Sequence, residues 1–312
     1  MTGEREATIQ TGPLGKRTIL ETPFSVAKAD SKQISRVAAT TIDAAFGYDA
    51  SIRSNNSGVA SGNTFSVRGQ AVDLTFGYKY DGLAFPYWFQ DQPIEAMEEI
   101  QVLKGAGGFV YGYASPSGVV NFVSKRPTKE FQTNVNLSYR TTSVVRALLD
   151  IGGPVAKGSK TLFRLNAVHE EGTLYNGAYN RNQFVSLWLQ GEIAPKLTWS
   201  TSAFYQRTWQ QKQSNGISFG PNVTSLAPVS GRLNLGAPAT TKWNDITQVT
   251  GRLKYEISPD WNASVAVRHS VLDERFPGNT VRIDNNAGDY TLGLLNQNRL
   301  FYYNVGQASV DG

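Results

Sequence analysis

The side chains able to do chemistry in this 312-residue chain are few and poorly placed for catalysis. There is no cysteine, and the two histidines are His169 and His269. That excludes a thiolate metal site, an iron–sulfur centre and a cysteine nucleophile. Ser115 and Ser117 sit in a glycine-rich turn, but a serine nucleophile needs a general base within reach. Both histidines instead share the parity of apolar neighbours, His169 with Phe163, Leu165 and Ala167, and His269 with Val265 and Val267. Glu98 and Glu99 are adjacent on a predicted strand, so they point to opposite faces and cannot flank one bond. The run Gly105-Ala106-Gly107-Gly108 follows a strand as a phosphate loop would, yet Val110 stands where a dinucleotide fingerprint needs glycine, and no Gly-Lys-Ser/Thr ending follows. These residues predict a binding protein, not an enzyme, with no catalytic residue, no cofactor and no protein metal site. Thirty Lys plus Arg against 25 Asp plus Glu form no basic stripe, so nucleic acid is not the expected partner.

One segment concentrates binding potential. Residues 76–90 hold seven aromatics: Phe76, Tyr78, Tyr80, Phe85, Tyr87, Trp88 and Phe89. Packed core is one reading of such a cluster. Its glycines, its proline and its irregular spacing instead predict an exposed aromatic loop. Tyr87 and Trp88 are the foremost candidates, followed by Tyr78, Tyr80 and Phe89, with Tyr111 as a further aromatic. Arg68 is the nearby cation, either facing an anionic ligand or pairing within the fold.

The elements that must carry these residues change character near residue 128. Up to there the pattern is mixed: an amphipathic helix over residues 31–45, short strands at 64–68 and 99–103, and glycine- and aromatic-rich loops between them. From Phe131 onward apolar and polar residues alternate. Phe131, Val135, Leu137 and Tyr139 oppose Gln132, Asn134, Asn136 and Ser138; the register returns through Val249, Leu253 and Tyr255 and again through Val265 and Val267. Seven strands result, most about ten residues long, and residues 299–310 begin an eighth. A soluble β-sandwich also alternates. Here, however, minimal turns at residues 194–196 and 258–260 share one rim, while the links on the other rim run through residues 170–182, 210–245 and beyond 276. That asymmetry, with Phe131, Trp199, Tyr255 and Trp261 near the short-turn rim, predicts a membrane barrel with an aromatic girdle. No run approaches the ~18 apolar residues of a spanning helix, and residues 1–30 contain no signal-peptide core.

The stretch EIQVLKGAGGFVYGYASPSGVVNFVSKRP, residues 99–127, resembles the end of the plug domain in TonB-dependent outer-membrane receptors, particularly those for ferric siderophores. Other pieces follow the family's order. Glu21-Thr22-Pro23-Phe24-Ser25-Val26 resembles its entry segment, Phe65-Ser66-Val67-Arg68-Gly69 its central arginine-glycine strand, and Asp81-Gly82 stands in its usual place. Two departures concern loops: Ala106 replaces the family's proline after Lys104-Gly105, and Gln70 stands where an aromatic is common. The resemblance implies an α+β plug domain over residues 1–128, its first ~20 residues flexible and facing TonB. Residues 129–312 would then be the first seven or eight strands of an antiparallel barrel, 22-stranded if complete. It implies a Gram-negative outer-membrane location with the plug facing the periplasm, and partners that are a ferric siderophore, TonB with its inner-membrane energising complex, and outer-membrane lipid. Iron would be bound only through the siderophore. Arg68, Tyr78, Tyr80, Tyr87, Trp88, Phe89 and Tyr111 would lie at the plug apex, and Glu6-Ala7-Thr8-Ile9-Gln10 is the candidate TonB box. The alternatives are a truncated receptor without transport activity, or a receptor for haem, cobalamin or a saccharide.

Overall fold

The computed structural model describes residues 8–10, 16–18, 25–55, 64–87, 92–105, 116–140, 143–212, 214–225, 230, 234, 236–237 and 240–311. Strands β1 (Thr8–Gln10) and β2 (Lys16–Thr18) pair antiparallel. Strand β3 (Ser25–Asp30) then runs into α1 (Ser31–Arg36), where Asp30 caps the helix by accepting from the Gln33 amide at 2.8 Å. The expected single helix is two pieces. Ala38 takes φ 47° and ends the first, and Thr41 opens α2 (Ile42–Ala45). A positive φ on a non-glycine residue is a strong helix break, and no periodicity argument detects it.

A small three-stranded sheet follows, of β4 (Ile52–Ser54), β5 (Phe65–Val67) and β6 (Gln70–Ala71). Arg68 and Gly69, at φ 53° and 79°, make the two-residue turn between β5 and β6. The main sheet of this half has the order β3, β9 (Met97–Lys104), β10 (Gly118–Ser124), β7 (Tyr78–Tyr80), β8 (Leu83–Ala84). Asp81 and Gly82, at φ 51° and 80°, form the tight β7–β8 turn. Gly118 is required by close approach: at φ 123°, a Cβ there would stand 2.1 Å from the Leu103 carbonyl oxygen.

Beyond residue 131 one large sheet holds eight consecutive antiparallel strands. These are β11 (Gln132–Arg140), β12 (Val144–Pro154), β13 (Leu162–Thr173), β14 (Tyr179–Ala194), β15 (Leu197–Gln211), β17 (Thr241–Glu256), β18 (Asn262–Ile283) and β19 (Tyr290–Asp311). A further strand, β16 (Ser214–Phe219), runs parallel to the far end of β18. The short-turn rim is as expected. On the other rim much of the expected loop is strand: β13 and β14 are joined by residues 174–178 only, and β18 and β19 run 22 residues each. Cross-strand pairing continues there after the apolar alternation that marks a strand in sequence has faded.

Outward positions carry the apolar set: Val135, Leu137, Val185, Leu187, Val249, Leu253, Val265 and Val267 are all exposed. Phe131, Tyr255 and Trp261 sit exposed at the short-turn rim. On β17 the outward band runs from Tyr255 to Trp243, roughly 40 Å along the strand at ~3.3 Å per residue. At a ~40° tilt that is a height of about 30 Å. Inward positions are mostly polar; among the apolar ones, Val168, Phe184, Phe204, Ile246 and Leu272 are buried in one core with residues of the first half. The first half of the chain therefore seats its own apolar surface on the inner wall of the second. Among the described residues no helix is long and apolar enough to cross a membrane, which leaves the strands unaffected as candidates.

Candidate functional site

The seat begins with aromatic stacking. Tyr78 and Tyr87 stack at 4.2 Å between ring centroids, and Phe122 lies 6.0 Å from Tyr87. Tyr80 meets Phe204 of β15 at 5.2 Å, and Phe204 meets Phe184 of β14 at 5.6 Å. Tyr78, Tyr80 and Tyr87 are 0, 3 and 1 % exposed. This corrects the expectation of an exposed aromatic loop for these three: their rings pack in the core of the five-stranded sheet and in its seam with the wall. Trp88, Phe89 and Tyr111 lie outside the described residues, as do Glu6 and Ala7. Thr8, Ile9 and Gln10 form β1. Arg68 is exposed at its turn, and its guanidinium reaches 3.8 Å from where a side chain at Gly105 would begin.

Two polar seams flank the aromatic one. At β17–β18, buried Arg268 donates to the backbone carbonyls of Tyr80 at 2.7 Å and Leu83 at 3.3 Å, and to Thr250 Oγ1 at 3.0 Å. Arg252 donates to the Asp81 carbonyl at 2.9 Å. The Asp81 carboxylate accepts from Ser124 Oγ at 2.7 Å, the Ser124 amide at 3.1 Å and Arg126 Nη2 at 2.8 Å. The Arg126 guanidinium also lies 3.8 Å over the ring of Trp188, an inward residue of β14. The β7–β8 hairpin is thus held to the wall through its own backbone.

The second seam, at β12–β14, is ionic. Arg146 donates to Glu95 at 2.6 Å and to Glu170 at 2.5 Å, and Arg140 also pairs with Glu170. Glu95 belongs to a 3-10 turn at Ile94–Ala96. Burial pushes its carboxyl up, against the opposing pull of the Arg146 guanidinium. Lys125 reaches Asp150 at 3.0 Å, and Arg164 binds the same carboxylate at 2.5 and 2.7 Å. Gln92 donates to Gln206 at 3.0 Å, and Gln206 to Asn182 at 3.1 Å.

The charged residues of the smaller half divide between contacts to the wall and contacts within that half. Lys125, Arg146 and Arg252 do bridge the two halves. Glu99 instead pairs with Lys28 at 2.6 Å, and Lys104 pairs with Asp49, both within the smaller half. Burial alone would push the Asp49 carboxyl up, but the hydrogen bonds and charge of Lys104 and the hydrogen bonds from Ser51 together outweigh it and hold the group below its ordinary value. Glu95, Gln92, Arg268 and the inward Phe184 and Phe204 also belong to the seat, although no motif in the sequence marks them. The last two and Arg268 had a readable signal, since each sits at inward parity on a strand.

Comparison with known proteins matches this architecture. Residues 18–119 match the family model described as the TonB-dependent receptor plug domain. The solved structure of BauA, the ferric preacinetobactin receptor of Acinetobacter baumannii, superposes on 99% of this chain and 46% of its own with a TM-score of 0.86 at 20% identity. The first third of the chain thus matches the plug domain of TonB-dependent receptors, and the fold continues as eight barrel-type strands whose sheet does not close among the described residues. Among relatives, the ferrichrome receptor FcuA of Yersinia enterocolitica is 27% identical over 297 residues, 91% of this chain and 38% of that receptor. The ferric-pyoverdine 358 receptor of Pseudomonas putida is 25% identical over 227 residues, 68% of this chain and 27% of that receptor. The chain thus spans well under half the length of these relatives.

Proposed function

We propose that this chain is the plug and the beginning of the barrel of an outer-membrane receptor that binds a ferric siderophore and imports it by TonB-dependent coupling. The observation that carries the reading is the seating of a five-stranded plug sheet on the inner wall of an amphipathic barrel sheet. A plugged lumen closes the pore to diffusion, so passage of a bound cargo requires the plug to be remodelled and therefore a source of work. Ferric siderophores are the cargo named for the relatives above, which supports the same class here.

In this reading residues 1–128 form the plug and residues 129–312 the barrel portion, with the plug's N-terminal segment facing the periplasm and TonB. The cargo is recognised without catalysis, and its iron arrives already chelated. The ligand-facing candidates are Arg68, Trp88, Phe89 and Tyr111, because the tyrosines at 78, 80 and 87 are engaged in the core. Residues 6–10 remain the candidate TonB-binding segment.

The test is uptake of radio-iron by cells producing the full receptor, given a panel of hydroxamate, catecholate and pyoverdine-type chelates. One chelate class should be imported, and import should stop when TonB is deleted while surface binding persists. Uptake of haem, cobalamin or a saccharide in place of every ferric siderophore would overturn the cargo. Uptake independent of TonB would overturn the coupling.

A further inference from the structure

The outward face of β18 and β19 carries a hydrogen-bonding pair inside the apolar band. By direct register His269 stands beside Asn304, and His269 Nδ1 lies 2.8 Å from Asn304 Oδ1. Both residues are exposed, and Val267 and Val271 bracket the histidine along its own strand. Counted from the start of β18 at Asn262, His269 stands roughly 18 Å above the short-turn rim, at ~3.3 Å per residue and a ~40° tilt. That height is within hydrocarbon, where polar atoms are costly unless hydrogen-bonded. The contact within the pair uses only part of its capacity. With Asn304 Oδ1 accepting, the neutral ring is the Nδ1–H tautomer. Its Nε2 is then a bare acceptor and Asn304 Nδ2 keeps its donor hydrogens, neither with a partner among the described residues.

The next outward row toward the short-turn rim is a ridge between two gaps. Val267 is exposed there, with Gly251 opposite it on β17 and Gly306 opposite it on β19. A Cβ at Gly306 would meet nothing within 4 Å. The two rows bound a hollow of about 450 Å³ lined by Val249, Gly251, Val267, His269, Asn304 and Gly306 among others. An acyl chain could fill such a gap, but it brings neither a donor for Nε2 nor an acceptor for Nδ2. A surface that holds a free acceptor and a free donor side by side is complemented by its own image.

We propose that two copies of the receptor pair in the membrane through this face, about a twofold axis along the membrane normal that passes between β18 and β19 at the hollow. The inference rests on the membrane-spanning reading above. Such an axis makes the interface isologous: Nε2 of each His269 accepts from Asn304 Nδ2 of the second copy, so both unmet groups are satisfied at once. The shape obeys the same symmetry, with the Val267 ridge of each copy entering the gap at Gly306 of the other. Strands tilted by ~40° cross at about 80° when two such faces meet, so the contact is confined to the crossing point. Small residues at a crossing are what allow two backbones to approach closely in lipid, and Gly251 and Gly306 supply them.

The experiment uses the full receptor, otherwise free of cysteine, in native outer membranes. The axis brings Gly306 close to its own image, within the reach of a disulfide, so Gly306→Cys should give a disulfide-linked dimer on mild oxidation. Val185→Cys, on the same outward face but on β14, should not. The mass of the receptor in mild detergent should be that of a dimer, and the double variant H269V/N304V should weaken the dimer about ten-fold in Kd with ferric-chelate binding unchanged. A monomer at every concentration, equal cross-linking at positions 306 and 185, or an unweakened double variant would overturn the proposal. If the double variant does not insert, the comparison of the two cysteine variants decides alone. A receptor absent from the outer membrane fails the reading beneath; a receptor present there as a monomer fails only this one.

Discussion

The two polar seams that hold the plug solve the same problem with different partners. At β17–β18 the wall supplies cations and the plug supplies backbone carbonyls, those of Tyr80, Asp81 and Leu83. At β12–β14 side chains on both sides are charged, with Arg146 shared between the plug's Glu95 and the wall's Glu170. A carbonyl does not titrate and is present whatever the residue, so the first seam depends on the hairpin's conformation alone. The second depends on identity and protonation. One seam is therefore an anchor indifferent to pH, and the other a contact that conditions can adjust.

The contrast breaks first at Arg268. Arg268→Met strips two plug carbonyls and Thr250 of their buried donor and should cost about 3 kcal/mol, read as a lower Tm of the detergent-solubilised receptor. The β7–β8 hairpin should become open to limited proteolysis. At the ionic seam, Arg146→Gln leaves the Glu95 and Glu170 carboxylates facing each other and should cost roughly 2 kcal/mol. Glu95→Gln in the same chain should restore about half of it, a rescue with no counterpart at the carbonyl seam. Asp81→Asn should cost only ~1 kcal/mol, because its partner Arg126 is 39% exposed and the pair is partly screened.

The pH response should separate the seams further. Glu95 carries a raised carboxyl pKa in the fold, so its ionisation opposes the folded state: its contribution is most favourable at acid pH and is lost as pH rises through the raised value. Asp49 behaves in the opposite sense. Its lowered pKa contributes stability above the ordinary carboxylate range, and that is lost as pH falls through the lowered value. Tm profiles of Glu95→Gln and Asp49→Asn against wild type should therefore diverge in opposite directions on the acid side, while Arg268→Met should run parallel to wild type.

Most of the barrel was legible because its physics is periodic. An outward apolar face and an inward polar one impose alternation, and a one-residue slip would invert every side chain. The same parity correctly placed His169 and His269 outward: His169 lies 3.3 Å from Glu171 and His269 2.8 Å from Asn304. The plug was legible through its motifs and not through periodicity, since its strands are short and its turns depend on positive φ at Ala38, Arg68 and Asp81. The tyrosines show the limit of composition. Seven aromatics in one segment predict both a binding loop and a core, and only packing against Phe122 and Phe204 decides for Tyr78, Tyr80 and Tyr87. The hairpin clamp was hidden for a different reason: its acceptors are backbone atoms, which leave no mark in residue identity.

The most direct test of the account is an equilibrium binding titration of the purified full receptor against ferric and iron-free siderophores, followed by tryptophan fluorescence. Saturable quenching by one class of ferric chelate is expected, weakened by Trp88→Ala and unchanged by Tyr87→Phe. No response to any ferric chelate, or a response to haem alone, would contradict it.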